Sequence, residues 1–487
     1  MPADSAAPWS ALFPDPERRS ALWRQIADII EHHAQHVDEL RVAPQLDPAA
    51  IRAMLEPCDF SRPLSPNEAV VLAAVGLTEH QVHTPHPRYY GLFNPAPTTM
   101  GIAADALAAA FNPQIAAWSH SPFAAEVERH LVRALGARFG FSETDGAFAS
   151  GGAEANHTAV VVALSAAFPE FNAAGLRNLP AQPVLYTSSE AHHSFRKAAR
   201  MCGIGTDAVR EIGVDASLRL RPDELEAAII ADRASGLAPF LIAATAGTTN
   251  AGAIDPLPEC AAVAQQHGLW LHVDAAWGGA AALVPELRPL LTGIEHADSI
   301  TFDAHKWLSV PMGTGLFLTR RLDAMDRAFS MRTAYMPREA AGLDVVDPHL
   351  HTMQWSRRFI GLKVFLSLLV AGWEGYERAI RHQTAMGDLL RTRLASAGWQ
   401  IENDTLLPVV CFTDPHGADP HAMAMDIVAS GEAWLSTTLL AGKRTTLRAC
   451  ITNYRTTSED IAALIDALGR AREKTLHAAS AETSVIV

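Results

Sequence analysis

Leu269–Lys306 reads LWLHVDAAWGGAAALVPELRPLLTGIEHADSITFDAHK, and its punctuation decides the fold. The apolar run Leu269–Val273 has the length and content of a buried strand, and it ends on Asp274. A second run, Asp298–Phe302, leads into a turn that carries Lys306 directly after His305. An α/β sheet gathers its ligand-binding groups at the carboxyl ends of its strands. A carboxylate and a lysine, each at such an end and flanked by small residues, therefore point to a site.

Outward from this stretch, helix and strand signals alternate. Helical spacing covers 101–112 and 121–137, Gly146–Ala149 is a short strand, and the glycine turn Ser150–Asn156 opens a helix over 154–167. Strands at 183–187 and 239–246 and helices at 194–202, 222–233 and 256–267 complete a βα alternation. The expected fold class is α/β, a mostly parallel sheet covered by helices, with an antiparallel piece near 313–319. Helices at 16–40, at 47–55 and from Ser65 make an N-terminal helical arm, which either docks on a second copy or packs on its own domain. The strip 85–100, PHPRYYGLFNPAPTTM, is irregular chain rich in proline and aromatics. It either lines a pocket or connects as packed loop. Residues 331–358 show little periodicity and read as a functional or mobile loop. Helix returns over 357–371 and 373–396. A smaller α+β unit follows, with strands near 407–413 and 445–453, a helix near 420–430, and a last helix opened by a Thr457–Asp460 capping box. The division is an arm at 1–90, a large domain at 91–375 and a small domain at 376–487.

Of 487 residues, 49% are hydrophobic, enough for a large core, and the net charge is 39 − 53 = −14. That balance argues against nucleic acid or an anionic membrane as main partner, since both need basic patches. Cys58, Cys202, Cys260, Cys411 and Cys450 are widely spaced without a CxxC and read as reduced thiols. The stretch MPADSAAPWS lacks a basic-then-apolar pattern, so no signal peptide is expected, and no apolar run approaches the roughly 20 residues of a membrane helix. A cytoplasmic protein is expected.

The turn Ser150-Gly151-Gly152 lets a ligand approach the backbone, and the N–H groups that open the following helix suit a phosphate. The turn lacks the GxGxxG and GK[ST] spacings of dinucleotide and nucleoside triphosphate sites. A lysine able to form a Schiff base, a carboxylate for a pyridinium nitrogen and a phosphate nest are together what pyridoxal 5′-phosphate requires.

The motifs SGGAEAN (150–156), AHHS (191–194), GTT (247–249), HVDAAW (272–277) and DAHKW (303–307) carry a family resemblance. Over roughly residues 75–470 the chain resembles the fold-type-I, pyridoxal-phosphate-dependent α-decarboxylases of amino acids. That group includes the aromatic-L-amino-acid, glutamate and 2,4-diaminobutyrate enzymes. The resemblance implies a seven-stranded type of sheet and a homodimer with shared active sites. It makes Lys306 the Schiff-base lysine and pairs Asp274 with the ring nitrogen. Ala276 packs on the ring and His192 stacks on its other face. Thr249 meets the ring hydroxyl, and Gly152, Ala153, His305 and Asp303 surround the phosphate. Tyr335, in the loop after the lysine, returns a proton to Cα; a phenylalanine there marks oxidative aldehyde synthases. Phe93 and Trp118 face the substrate. Arg448 either contacts a substrate carboxylate or serves a structural ion pair.

Three departures stand out. Asp303 occupies a position where aromatic decarboxylases tend to have asparagine. Ala153 lacks a hydroxyl that some members use on the phosphate. Leu92, Gln114 and Ala116 stand where aromatic enzymes carry larger side chains. The implied activity is an L-amino-acid α-decarboxylase yielding an amine and CO2. An aromatic substrate is favoured by Tyr89, Tyr90, Phe93 and Trp118, with a small acidic or diamino acid as the alternative. Rival readings are an aldehyde synthase or aminotransferase on the same cofactor, a metal site at His192, His193, His272 and Asp274, and a non-catalytic scaffold. No HExxH-type spacing supports the metal reading, and no metal is expected.

Overall fold

The computed structural model describes residues 12–485 except 332, 338 and 341, with side chains described through 478. Seven strands form the main sheet: β1 (Asp145–Ala149), β2 (Pro183–Ser188), β3 (Val209–Ile212), β4 (Ala238–Thr245), β5 (Trp270–Asp274), β6 (Ser299–Asp303) and β7 (Gly315–Thr319). Their order across the sheet is β1-β7-β6-β5-β4-β2-β3. Only β7 runs against the others, pairing antiparallel with both β6 and β1. This is the seven-stranded, mostly parallel α/β sheet expected, with its antiparallel piece at 315–319.

Both faces are covered, so β2, β5, β6 and β7 are buried at every residue. That is why LWLHV reads as a continuous apolar run rather than an alternating one. Parallel pairing brings the carboxyl ends of β2, β4, β5 and β6 to one edge of the sheet. Thr245 and Asp274 are register partners there. Asp303 closes β6 beside them, and β1 delivers Ser150–Gly152 from the same side.

A second sheet, β8 (Gln400–Ile401), β9 (Val409–Thr413), β10 (Ser436–Leu440) and β11 (Arg444–Cys450), is antiparallel in the order β10-β11-β9-β8. It has its own core, to which Leu390, Leu394, Phe412 and Leu447 belong. Tyr376 and Ile380 belong to the large core instead. One helix, Gly361–Ser396, therefore feeds both cores. It is bent at Gly372, whose φ of 63° only glycine adopts cheaply. The capping box at Thr457 and Asp460 is formed in both directions.

The strip 85–100 divides in two. Tyr90 N–H donates to the Trp434 carbonyl, and Cys450 N–H donates to the Tyr90 carbonyl, so this part is stitched to the small sheet. Tyr90 is 0% exposed, and its hydroxyl donates to the Asp460 carbonyl. Phe93, three residues on, turns the other way, with φ of 62°. In the arm, the helices Pro16–His36, Pro48–Leu55 and Pro66–Glu79 bury no residue in this chain. Among the described residues, no helix is long and apolar enough to cross a membrane.

Candidate active site

A small cavity lies at the carboxyl edge of the main sheet. Its walls include Gly152, Ala153, His192, Thr249, Asp274, Ala276, Asp303 and Lys306, together with Asn156, Thr245, Gly247 and Trp277. Eight residues expected from sequence thus converge from five separate segments. The walls are built by the fold: Asp274 ends β5, Asp303 ends β6, and Gly152 opens the helix Gly152–Ala167.

Lys306 Nζ lies 3.1 Å from Asp303 Oδ2, and His305 Nε2 lies 3.8 Å from the same oxygen. His305 Nδ1 faces the Thr314 backbone, 3.2 Å from its N–H. Burial, helped by the Lys306 cation, lowers the His305 pKa, with the Asp303 anion opposing. His192 accepts from the Ser194 N–H at Nδ1, at 3.2 Å. Burial holds its pKa below the ordinary value too, reinforced by Lys306 and His193 and opposed by Asp274 and Asp303. Both rings are therefore held toward the neutral form.

Asp274 is fixed by two donors. The Ala276 N–H reaches Oδ1 at 3.1 Å, and Asn156 Nδ2 reaches Oδ2 at 2.7 Å. Behind Asn156 a buried chain of polar groups continues. His272 Nε2 lies 3.1 Å from Asn156 Oδ1, His272 Nδ1 lies 2.8 Å from Ser299 Oγ, and Trp270 Nε1–H donates to Ser299 Oγ at 2.8 Å. An ionised carboxylate can only accept, so the direction is set from the Asp274 end. Ser299 donates to His272 Nδ1, His272 Nε2–H donates to Asn156 Oδ1, and Asn156 donates to the carboxylate. Burial pushes the His272 pKa down to about 4, as a neutral link in such a chain requires. Each dipole points its positive end toward Asp274, which stabilises the ionised carboxylate. Asn156, His272 and Ser299 were not read from sequence as parts of this device. The one available signal was a polar residue in an otherwise apolar run, His272 inside WLHV; Asn156 sits among Glu154, His157 and Thr158 and does not stand out.

Phe93 stacks on Trp277 with centroids 4.6 Å apart. Lys306 Nζ and the Arg448 guanidinium carbon lie 5.8 and 4.9 Å from its ring centre. Arg448 is 2% exposed. It donates through Nε to the Thr249 carbonyl (2.9 Å) and through Nη1 to the Gly91 carbonyl (3.0 Å). Its Nη2 is buried without a partner. Among the described residues no carboxylate pairs with it, so the structural ion-pair account of Arg448 fails.

Two expected residues lie elsewhere. Trp118 does not reach this cavity. It opens a 3₁₀ turn, its N–H donates to Asp347 Oδ1 and its indole to Glu126, so it faces the 344–352 loop of its own chain. Tyr335 is 75% exposed and packs only loosely on Trp355, at 6.1 Å between centroids. Among the described residues, no group of three His, Cys, Asp or Glu side chains is placed to hold a metal ion.

The cavity fits pyridoxal 5′-phosphate. Thr245 Oγ1, Trp277 Nε1 and Asp303 Oδ1 are buried without partners around it. The helix Gly152–Ala167 has no side-chain cap at its amino end, which leaves backbone donors for a phosphate. A Cβ on Gly152 would come within 2.8 Å of Asp303 Oδ2 and 3.2 Å of the Ala276 methyl, so only glycine keeps this approach open. When bound, this cofactor supplies an electron sink for the pair left by a broken bond at Cα.

The family model for the pyridoxal-dependent decarboxylase conserved domain matches residues 63–414. An aromatic-L-amino-acid decarboxylase of Bacillus atrophaeus is 31% identical over 458 residues, 91% of this chain and 93% of its own length. The human cysteine sulfinic acid decarboxylase is 34% identical over 336 residues, 68% of each chain. The crystal structure of mouse CSAD superposes with a TM-score of 0.87 at 28% identity, covering 94% of this chain and 99% of that one. With Asp274 and Lys306 on the walls of one cavity and a domain match across most of its length, the chain belongs to the pyridoxal-dependent decarboxylases and is a pyridoxal-phosphate-dependent amino-acid carboxy-lyase.

Proposed function

We propose that this enzyme decarboxylates an L-amino acid whose side chain carries a second acidic group, and that Arg448 receives that group. The observation that carries the reading is the buried, unpartnered Nη2 of Arg448 beside Phe93 and Lys306. A buried guanidinium left unpaired is costly, and a ligand carboxylate satisfies it in bidentate fashion. The α-carboxylate is the poorer partner, because its charge disappears as CO2 leaves. An ion pair with it is strongest in the ground state and raises the barrier. A distal acid keeps its charge throughout, so its binding energy is retained. Support for an aromatic substrate weakens, since Tyr90 belongs to the small core. The relatives include both kinds of enzyme by name, so kinship does not choose between them.

In this reading Asp274 holds a proton at the cofactor's ring nitrogen, and the buried chain through Asn156 keeps Asp274 ionised. His192, Ala276 and Thr249 orient the ring, and Gly152, Ala153 and His305 surround the phosphate. Phe93 and Trp277 exclude water near Lys306. Tyr335 of a second copy returns the proton to the substrate's Cα. A homodimer is supported by the arm helices, which bury nothing here while presenting Trp23, Ile30, Val71 and Val75 to solvent.

A panel of L-amino acids assayed for CO2 release tests the substrate. Acidic members are expected to turn over best, and turnover confined to aromatic ones defeats the reading. Arg448→Gln is expected to raise KM for the acidic substrate about 10- to 100-fold, the worth of a hydrogen bond to a charged group. Its kcat changes less, and the preference for acidic over apolar substrates shrinks.

Tyr335→Phe tests the proton return. The side chain is too exposed for its hydroxyl to matter to folding, so thermal stability stays within about 0.5 kcal/mol. Product is expected to shift from amine toward aldehyde, read by chromatography of both. An unchanged amine yield removes Tyr335 from the mechanism.

A further inference from the structure

Asp303 is a buried carboxylate to which the reaction above gives no task. It is 1% exposed; Oδ2 contacts Lys306, and Oδ1 is buried without a hydrogen-bond partner. The carboxylate faces the amino end of the helix Gly152–Ala167. A Cβ on Gly152 would lie 2.8 Å from Oδ2, and one on Gly315 would lie 2.7 Å from Oδ1. An anion thus stands against the uncapped helix end whose N–H groups suit the cofactor's phosphate. A phosphate monoester carries close to two negative charges near neutral pH. Two anions in a shielded pocket repel strongly unless a cation or a proton intervenes.

The charged and titratable groups around Asp303 are few. Lys306 is in direct contact, but its amine is the one the cofactor's aldehyde engages. His305, at 3.8 Å, is held toward its neutral form by burial. His192 faces it from the turn after β2 and is held toward its neutral form in the same way. Glu154, in the first turn of the helix, is a further anion and is tied to Ser150 and Gln354. Asp274 stands elsewhere on the cavity wall. Lys363 is spent on the Met312 carbonyl and Asp105. None of these brings a free positive charge to the phosphate side.

We propose that Asp303 takes up one proton from solvent as the phosphate enters and then donates it as a hydrogen bond to a phosphate oxygen. One O–H bond forms on the carboxylate, one proton leaves bulk water, and no electron is transferred. Asp303 is in this sense a cofactor-positioning residue that makes cofactor retention sensitive to pH. Binding coupled to uptake of a proton weakens as pH rises, by up to about tenfold per unit.

The test uses the full chain stripped of cofactor and titrated with pyridoxal 5′-phosphate. Calorimetry in two buffers of different ionisation heat counts the protons exchanged. The native chain is expected to take up about one proton more than Asp303→Asn, whose amide donates without one. Above neutral pH the variant is expected to bind at least about tenfold more tightly, with a flatter dependence on pH. Equal proton uptake by the two proteins, or tighter binding by the native chain at alkaline pH, overturns the proposal. A readout on the native chain guards against a variant that misfolds. Its infrared difference spectrum on loading is expected to gain a protonated-carboxyl band, and absence of that band also overturns the proposal.

Discussion

Lys306→Ala is expected to lose decarboxylation by on the order of 10⁴-fold or more, the scale seen when the nucleophile of a covalent catalyst is removed. CO2 release from the best amino acid measures it, and substantial residual turnover overturns the assignment of Lys306. The loss has to be separated from a second effect of the same substitution. Lys306 is the direct ion-pair partner of Asp303, whose side chain is 1% exposed. Without the ammonium, a buried carboxylate keeps only His305 at 3.8 Å, and breaking a buried pair costs about 3–5 kcal/mol. Stripped of cofactor, the alanine variant is therefore expected to be less stable than the native chain, and loaded with cofactor it is expected to be inactive. Lys306→Arg separates the two effects. Its guanidinium keeps the charge beside Asp303 and restores much of the thermal stability, while it stays chemically unable to replace the amine. Borohydride is expected to fix the cofactor covalently to the native chain and to neither variant.

The parts of this architecture that sequence discloses share one physical cause. A strand buried on both faces is a continuous apolar run, so β5 and β6 announce themselves, and the residues that end them fall on the carboxyl edge by the topology of parallel sheets. That rule alone places Asp274 and Lys306 together. Two of the marginal strands carry no such signal. Val209–Ile212 holds the adjacent charges Arg210 and Glu211 between its two apolar residues, and Ser436–Leu440 opens on hydroxyl residues, so neither reads as a strand. The aromatic cluster Tyr89, Tyr90 and Phe93 misleads for another reason. Side chains three residues apart in irregular chain have no fixed relation, and Tyr90 enters one core while Phe93 enters the active site.

The hydrogen-bond chain behind Asp274 is the part least accessible to sequence. Asn156 and His272 lie 116 residues apart, and nothing local in either segment names the other. Yet the chain is as much part of the site as the carboxylate it holds. A carboxylate at the end of four aligned dipoles differs from a carboxylate that is merely buried, because burial alone favours the neutral acid. Only the ionised form can keep a proton on the ring nitrogen.

Asp274→Asn follows from this directly. The amide is nearly isosteric, and its oxygen still accepts from the Ala276 N–H. Its NH2 then faces Asn156 Nδ2, donor against donor, at a contact that is 2.7 Å in the native chain. Asn156 cannot simply turn over, because that sets its own NH2 against the His272 Nε2–H. His272 would have to shift its proton to Nδ1, and Ser299 would then have to accept from both His272 and Trp270. Ser299 would lose its donor role, and the reversed chain would end with one group unsatisfied. The expected cost is about 1–3 kcal/mol of stability for a buried polar group left without a partner. Catalysis suffers more. The electron sink at the ring depends on a negative charge at the nitrogen, and a neutral amide leaves that nitrogen unprotonated. We expect kcat to fall about 10³-fold or more, of the order found when a preorganised electrostatic contact is removed. Cofactor binding should weaken far less, since the phosphate and Lys306 contacts are untouched. His272→Phe probes the same idea from the far end. It keeps Asp274 and removes the polarising link, so a kcat between those of the native chain and Asp274→Asn is expected. Native kcat in that variant, with the fold intact by circular dichroism, would mean that Asp274 needs no support from behind.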